Sequence, residues 1–495
     1  MSPVTFNDVP SNLRIPFVAA EFDPSLASQG PALLPYKALL IGQKTTEGSA
    51  DADTIHRVSS LAEVVALAGR GSMLHRQAIA WFASNRVTEL WVGVLDDDGA
   101  GAKAAGTITF SDAHPSVPGA TAGTIALYMG GVRVPVAIEE GDDAEDAASA
   151  AAAAITAAAD LPVTATAASN VVTVQFRHKG VVGNAYDMRV NYRDGEALPE
   201  GIEVAFVQLS AGATNPGLAN LIAALGDAWF HVWAHPYTDS TSLESIEEEL
   251  SSRFGPMRMI DGVAIAAAQG SHSGLATLGD TRNSPHSVIV AQPGIDPITP
   301  AMEFGAEVAG LVAKYGATDP SRPFQTIAMK NALPPEEVDL FSNEERNLLL
   351  FDGIATTRVA SGVVVLDRMI TTYQENSASA PDDAYLDVTT MLTLMYLRYT
   401  FRVRMMTRYP RHKLANDGTR FGPGQSVITP KIGKAEAISW FRQMEELGLV
   451  EGFDQFKADL IVVRSETDPN RLEFLLSPDL INQLVVTATK IAFRL

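Results

Sequence analysis

The sequence predicts a multidomain protein of mixed α/β and α+β class, with an inserted β-rich domain and extended strand arms at both ends. Three observations support this prediction. The chain has 495 residues, enough for about three domains. Apolar strands alternate with amphipathic helices in two separate stretches, which is typical of α/β architecture. Between those stretches, a glycine- and alanine-rich break at 96–106 is followed by a run of short strands.

Residues 1–36 are interpreted as an extended N-terminal arm. Prolines recur at positions 3, 10, 16, 24, 31 and 35, and proline excludes a long helix because it fixes φ and has no N–H group. Residues 15–22, which include Phe17, predict one strand in which Val18, Ala20 and Phe22 share a face. The alternative is a disordered leader.

The predicted α/β domain comprises residues 37–98 and 211–386. Its strands are expected at 37–42, 89–95, 229–234, 257–265 and 286–291, with a final hairpin of 354–358 and 363–370. Its helices are expected at 60–68, 72–85, 216–226, 241–253 and 300–315.

The stretch between the two halves of that domain, residues 99–210, is predicted to be a small inserted α+β domain. Short strands separated by glycine and proline turns are expected at 107–110, 124–128, 132–138, 171–177 and 186–192. One alanine-rich helix is expected at about 143–159.

Residues 387–480 predict a C-terminal α+β domain, and 481–495 a C-terminal strand arm. Helices are expected at 387–409 and 434–447, and a hairpin at 460–465 and 472–476. In the arm, β-branched and aromatic residues occupy alternate positions: Val485, Thr487, Thr489, Ile491 and Phe493. Such a strand needs a partner edge, because an unpaired apolar strand associates with other chains.

Composition narrows the classes of function. The formal charge of −21 argues against a general nucleic-acid binder, and the absence of cysteine excludes disulfides and thiolate metal sites. No run of residues is apolar and long enough to span a bilayer, so a soluble protein is predicted. Charge is uneven, however: residues 397–495 carry 15 Lys and Arg against 11 Asp and Glu. Such asymmetry suggests a face with an acidic partner.

A search for catalytic chemistry finds no complete constellation. His231 and His235 are four residues apart, but the segment has a strand-like pattern and ends at a proline, which favours buried structural histidines over a metal site. His272 occupies the centre of the Gly270–Gly274 segment, where a nucleophile elbow requires serine. Residues 96–98, all aspartate, are interpreted as a solvated acidic loop. The sequence therefore predicts no catalytic residue, cofactor or metal.

Several short segments, in this order along the chain, give it a specific resemblance. They are 13–16 (LRIP), 177–180 (RHKG), 183–184 (GN), 212–216 (GATNP), 253–257 (RFGPM), 319–323 (DPSRP), 345–349 (ERNLL), 352–356 (DGIAT), 368–373 (RMITTY) and 491–495 (IAFRL). Over nearly its full length, the chain resembles the tail sheath proteins of contractile-tailed bacteriophages of the Mu-like type.

This resemblance implies a structural virion protein and no enzyme. Sheath proteins of this family form stacked hexameric rings around a tail tube and contract to drive the tube through the host envelope during DNA ejection. The implied partners are other copies of the chain, the tail tube protein, and the baseplate and tail terminator proteins, with no nucleic acid and no membrane insertion. The implied location is the virion tail, after assembly in the host cytoplasm. A phage-like bacteriocin or another contractile injection system is the alternative, and a soluble α/β enzyme a remote one.

Two sets of site residues follow. The resemblance implies that both arms add strands to a neighbouring subunit, which would place Phe17, Val18, Ala20, Phe22, Val485, Thr487, Ile491 and Phe493 between subunits. The basic run in the C-terminal domain, which the resemblance places toward the tube, suggests that Arg402, Arg404, Arg408 or Arg411 contacts an acidic tube surface. The alternative is that these arginines pair with acids of their own subunit.

Overall fold

The fold was analysed in a computed structural model that describes residues 34–113 and 119–494. Contacts divide the chain into two compact units. Among the described residues, the larger unit comprises 35–396 and 480–494, and the smaller unit comprises Leu34 and 397–479. The predicted N-terminal arm strand, with Phe17, Val18, Ala20 and Phe22, lies outside the described residues.

The strands, in chain order, are β1 (Lys37–Gln43), β2 (Thr54–Val58), β3 (Glu89–Leu95), β4 (Lys103–Asp112), β5 (Gly123–Met129), β6 (Val132–Ile138), β7 (Val163–Ala168), β8 (Val171–Lys179), β9 (Met188–Val190), β10 (Ile202–Ser210), β11 (Val232–Ala234), β12 (Val263–Ala268), β13 (Ser287–Ala291), β14 (Ile354–Ala360), β15 (Val363–Arg368), β16 (Lys413–Leu414), β17 (Val427–Ile428), β18 (Val450–Glu451), β19 (Ile461–Arg464), β20 (Leu472–Leu475) and β21 (Asp479–Leu480). The helices are α1 (Leu61–Ala68), α2 (Met73–Ser84), α3 (Ala144–Ala157), α4 (Ala219–Leu225), α5 (Ser240–Phe254), α6 (His272–Asp280), α7 (Ala301–Thr318), α8 (Asn343–Phe351), α9 (Val388–Arg408), α10 (Pro430–Glu446) and α11 (Phe453–Asp459).

An eight-stranded sheet of order β15-β14-β13-β12-β11-β1-β3-β2 organises the larger unit. The inner strands from β14 to β3 are parallel, and the two edge strands, β15 and β2, pair antiparallel. Strand β1 reads KALLIGQ and is buried from Ala38 onward, as expected for a parallel strand covered on both faces. The predicted mixed α/β and α+β class is confirmed. Within the described residues, no helix combines the length and the apolar character that crossing a bilayer requires.

A buried polar seam joins helices α2 and α7. The guanidinium of Arg76 donates two 2.8 Å hydrogen bonds to the carboxylate of Glu303, and both side chains are almost fully buried. Ser84 lies about two helical turns after Arg76 on α2. Its hydroxyl donates to the carboxylate of Glu307. Burial raises the pKa of the Glu307 carboxyl, although hydrogen bonds from Ser84 and from the backbone of Lys330 oppose that effect.

Residues 103–210 form two sheets of their own, of order β10-β4-β8-β7 and β6-β5-β9. The alanine-rich helix α3 begins at a capping box in which Asp143 and Asp146 bind each other's backbone N–H groups. Its alanines bury one face among the strands, because small side chains allow close approach; these are Ala147, Ala148 and Ala151.

Two chain segments connect this region with the large sheet, and they are hydrogen-bonded to each other. The N–H of Ala102 donates to the carbonyl of Ala213 at 2.9 Å, and the N–H of Ala213 returns a bond of 3.1 Å. Beside them, the side-chain amide of Asn184 both donates to and accepts from the backbone of Gly212. Thr214 has φ of +61°, which a β-branched residue rarely adopts. We call these paired segments the joint.

Asp97 reinforces the joint, and its predicted place in a solvated loop was wrong. Its carboxylate accepts hydrogen bonds from Nδ1 of His178 (3.1 Å), the backbone N–H of Lys179 (3.1 Å) and the side chain of Gln43 (2.8 Å). The Nε2 atom of His178 accepts from the backbone of Met73, so the ring proton belongs on Nδ1. Burial raises the pKa of Asp97, but the bonds from His178 and Lys179 outweigh it and hold this pKa below its ordinary value.

The smaller unit packs the C-terminal part of α9, helices α10 and α11, and the β19–β20 hairpin. Phe441 of α10 stacks on Phe456 of α11, with ring centroids 4.1 Å apart. Trp440 of α10 donates its indole N–H to the hydroxyl of Thr400 at 3.0 Å. These contacts leave α10 with one buried face, as its amphipathic sequence requires.

Some predicted elements differ from those observed. The strand expected at 257–265 begins only at Val263, because a hydrogen-bonded turn containing Met259, with φ of +53°, precedes it. Strands β2, β7, β10, β16, β17, β18 and β21 and helices α6, α8 and α11 were not predicted. The strand expected at the C-terminus is not assigned either, since 481–494 form no strand in the described part of the chain.

Candidate subunit interface

The C-terminal segment 481–494 leaves its apolar side chains in solvent. Ile491 is 84% exposed and Phe493 is 80% exposed. The segment is held at its start, where the side chain of Gln483 donates to Thr389 and that of Gln325 donates to the carbonyl of Leu484 at 3.3 Å. Exposed side chains of this size each forgo about 1.5–3 kcal/mol of burial free energy. The segment therefore has the character of a surface that another molecule covers.

The four predicted arm residues in this segment do not behave alike. Val485 is only 39% exposed, whereas Ile491 and Phe493 are among the most exposed apolar residues of the described chain. Thr487 is exposed as well. The structure thus brings these residues together in one extended segment, and their neighbour in another subunit stays a prediction.

The β19–β20 hairpin of the smaller unit has a packed face and an open face. Val462, Leu472 and Phe474 lie within 3.1–3.2 Å of the position that a Cβ atom on Gly433 of α10 would occupy. That glycine lets α10 and the hairpin approach closely, so a larger residue there would push them apart.

The open face of the same hairpin carries three apolar side chains and Glu473, which pairs with Val463. Ile461, Val463 and Leu475 are each about half exposed, and Ile461 pairs directly with Leu475. The groove along this hairpin has a volume of about 600 Å³. A two-stranded sheet is marginally stable alone, and its edges can accept further strands. Sequence reasoning missed this half-exposed face of the hairpin, although its alternating Ile461 and Val463 could have indicated it.

The predicted basic residues divide into two pairs. Arg404 is only 9% exposed, and its guanidinium donates to Glu436 (2.7 Å), Gln443 (2.8 Å) and Ser439 (2.8 Å). Arg408 also pairs with Glu436, at 3.2 Å. These two arginines therefore fit the alternative that they pair with an acid of their own subunit.

Arg402 and Arg411, by contrast, are exposed, and neither forms an ion pair with any described residue. They remain candidates for contact with an acidic partner. The charge of Glu436 is balanced by arginines of its own subunit. Burial raises the pKa of its carboxyl, but hydrogen bonds from Arg404 and Tyr409 outweigh this effect and hold the pKa below its ordinary value.

The two histidines that were considered as metal ligands are both buried. His231 stacks between Tyr36 and Trp229, each at 4.6 Å between ring centroids, and its Nδ1 accepts from the N–H of Lys37. Burial lowers the pKa of His231 to about 3 and that of His235 to about 4. Within residues 34–113 and 119–494, no group of His, Asp or Glu has the arrangement of a metal site.

Comparisons with known proteins give the following matches. Residues 211–372 match the family model of the phage tail sheath protein central domain, and 380–494 match that of the phage tail sheath C-terminal domain. The chain is 38% identical over 493 residues to the Mu-like prophage FluMu tail sheath protein of Haemophilus influenzae, covering 99% of this chain and 100% of that one.

Two solved structures are also similar in fold. The sheath tail protein of Desulfitobacterium hafniense is 12% identical, with a TM-score of 0.47, covering 94% of this chain and 100% of that one. The helical sheath of the anti-feeding prophage in its contracted state is 10% identical, with a TM-score of 0.49, covering 98% of this chain and 99% of that one.

Proposed function

Because the chain belongs to the phage tail sheath family, as its full-length identity to a tail sheath protein establishes, we propose that it is the repeating subunit of a contractile sheath. It forms hexameric rings stacked around a tail tube, between a baseplate and a tail terminator, and is assembled in the host cytoplasm. Contraction drives the tube through the host envelope for DNA ejection. The protein acts through assembly and not through catalysis.

The observation that carries this proposal is the exposed apolar segment 481–494, which forms no strand among the described residues. Addition of such a segment to a sheet edge of another chain satisfies its backbone and buries its side chains. The β19–β20 hairpin of a neighbouring subunit is the acceptor that we propose, since its open face offers Ile461, Val463 and Leu475. The predicted N-terminal arm, with Val18, Ala20 and Phe22, joins the same sheet.

Electron microscopy of the purified chain tests this function. At high protein concentration, negatively stained samples are expected to contain long hollow tubes of regular cross-section, built from this chain alone. Mass photometry of the same samples after dilution is expected to show loss of the tubes to smaller species. A chain that stays monomeric at every concentration, with its C-terminus intact, would contradict the proposal.

Arg402 and Arg411 are proposed to contact an acidic tube surface before contraction. Substitution R402E/R411E is expected to weaken the binding of sheath to purified tube. Each exposed ion pair contributes only about 0–1 kcal/mol, but many subunits repeat it. The measurement is the salt concentration at which sheath and tube separate, which is expected to fall for the variant.

The matched control reverses two other exposed cations of the same unit, K431E/K457E, which changes the net charge equally. An equal loss of tube binding in both variants would show that overall charge, and not Arg402 and Arg411, is responsible.

A further inference from the structure

A basic and apolar surface lies around the C-terminal end of helix α2, beside α7. Val87 is 80% exposed, and Tyr315 is exposed nearby on α7. Arg86, Lys314 and Lys330 surround them, and none of the three forms an ion pair with a described residue. We call these five residues the basic patch.

Hydrogen bonds show that the members of the basic patch are close together. Lys314 Nζ donates to the carbonyl of Ser84 at 3.4 Å, at the end of α2. The hydroxyl of Ser84 and the backbone N–H of Lys330 bind the same oxygen of Glu307. Arg86 and Val87 follow Ser84 directly along the chain. These bonds place all five residues around the C-terminal end of α2.

A second exposed surface has the opposite charge. Val338 is 84% exposed, and Ile295 is about half exposed. The two lie side by side, because the N–H of Ile295 donates to the carbonyl of Asp339 at 3.0 Å. Glu336 and Glu337 directly precede Val338, and neither forms an ion pair with a described residue.

We call Ile295, Val338, Glu336, Glu337 and the adjacent Asp296 the acidic patch. Asp296 accepts a 3.0 Å bond from Arg189, so its charge is partly balanced within the subunit. The acidic patch is otherwise complementary to the basic patch. Each has two apolar side chains at its centre, and the charged residues around them are acidic in one patch and basic in the other.

Apart from Lys330, whose backbone lies beside Glu307 near the middle of the helix, the two patches lie toward opposite ends of helix α7. Lys314 and Tyr315 belong to its last turns. The acidic patch lies near the start of the helix. Ile295 is six residues before Ala301, where α7 begins. The segment that leads to Glu336 is also held there, because the N–H of Leu333 donates to the hydroxyl of Thr299. Ala301 and Lys314 are separated along the helix by about 20 Å, at about 1.5 Å per residue.

We propose that the basic patch of one copy of this chain contacts the acidic patch of a second copy, so that copies associate head to tail along the direction of α7. An apolar centre within a polar rim is the usual anatomy of a protein interface, and opposite charges set its register. Because the contact joins two different patches, it is heterologous and generates rings or open helices instead of closed dimers. This inference rests on the proposed sheath function and identifies surfaces that link its subunits.

Charge reversal of each patch, alone and in mixture, tests the contact. The basic-patch variant is R86E/K330E, and the acidic-patch variant is E336K/E337K. Each alone has two like-charged patches, so we expect the protein concentration at which tubes form to rise at least about tenfold. In an equimolar mixture of the two variants, each contact between one copy of each variant again joins opposite charges. We therefore expect tubes to return in the mixture at nearly the wild-type concentration, measured by light scattering and negative staining.

The control is K103E/R193E, which reverses two exposed cations of the 103–210 region and changes the net charge as R86E/K330E does. It is expected to form tubes as the wild type does. Tubes that form normally from either patch variant, or that fail to return in the mixture, would overturn the head-to-tail contact. Absence of tubes in the wild type would instead count against the sheath function itself.

Discussion

Deletion of residues 484–495 is expected to abolish sheath assembly and to leave a folded, soluble monomer. The deleted segment makes few contacts with its own chain, and its Ile491 and Phe493 are exposed, so the subunit should keep its unfolding temperature. Burial of those two side chains in a neighbour would contribute about 3–6 kcal/mol per link, at about 1.5–3 kcal/mol each. That corresponds to a hundredfold or more in affinity. Analytical ultracentrifugation of the truncated chain measures the result.

Two full-length variants separate the role of the apolar side chains from that of chain length. I491D/F493D is expected to reproduce the loss of assembly, whereas K490A/R494A, at alternate positions of the same segment, is expected to retain it. Tubes formed by the truncated chain would refute the role of this segment as a link. A truncated chain that unfolds at a lower temperature would show that the segment stabilises its own subunit.

Breaking the buried pair of Arg76 and Glu303 is expected to have the largest effect on stability. Removal of one partner leaves the other as an uncompensated buried charge, which costs about 3–5 kcal/mol. R76M and E303Q are therefore each expected to lower the free energy of unfolding of the larger unit by that amount. The double variant R76M/E303L should recover most of it, because no buried charge remains. Urea denaturation in the truncated, monomeric background gives these values without a contribution from assembly.

Arg70 and Asp160 provide the control for this prediction. They form an ion pair of 2.6 Å, but both side chains are about half exposed, so D160N is expected to cost at most about 1 kcal/mol. A cost for E303Q no greater than that for D160N would show that burial does not set the strength of the Arg76 interaction.

Local signals predicted part of the fold accurately. Strand β3 was predicted at its observed bounds, because its apolar run ELWVGVL is bounded by turn residues. Helix α2 was predicted within one residue at each end, since Ser72 is a typical cap and accepts a bond from the N–H of His75. Helix α3 was predicted almost as closely, because its acidic start is separated from the preceding strand by a glycine.

Other elements depend on pairings that are distant in sequence. Strand β10 pairs with β4, so that Val207 faces Thr107 a hundred residues earlier, and its own sequence gives little local indication. Strand β7 reads VTATAA, in which small side chains weaken the alternation that predicts a strand.

In the candidate interface, too, local features could be predicted from the sequence and distant contacts could not. Alternation of apolar residues predicted that the C-terminal segment is extended and needs a partner. The partner of Arg404 could not be predicted, because Glu436 lies 32 residues away on another helix. The alternating sequence of the β19–β20 hairpin does not say which of its two faces is packed. The position of Gly433 on α10, close to Val462, Leu472 and Phe474, identifies the packed face.

The joint between the 103–210 region and the large sheet has a mechanical consequence. A single covalent connection would allow one part to rotate on the other, whereas two connections that are bonded to each other resist rotation. The mutual bonds of Ala102 and Ala213, with those of Asn184 and Asp97 beside them, make this connection rigid. A torque applied to the 103–210 region is therefore transmitted to the eight-stranded sheet, and the two parts turn together as one lever.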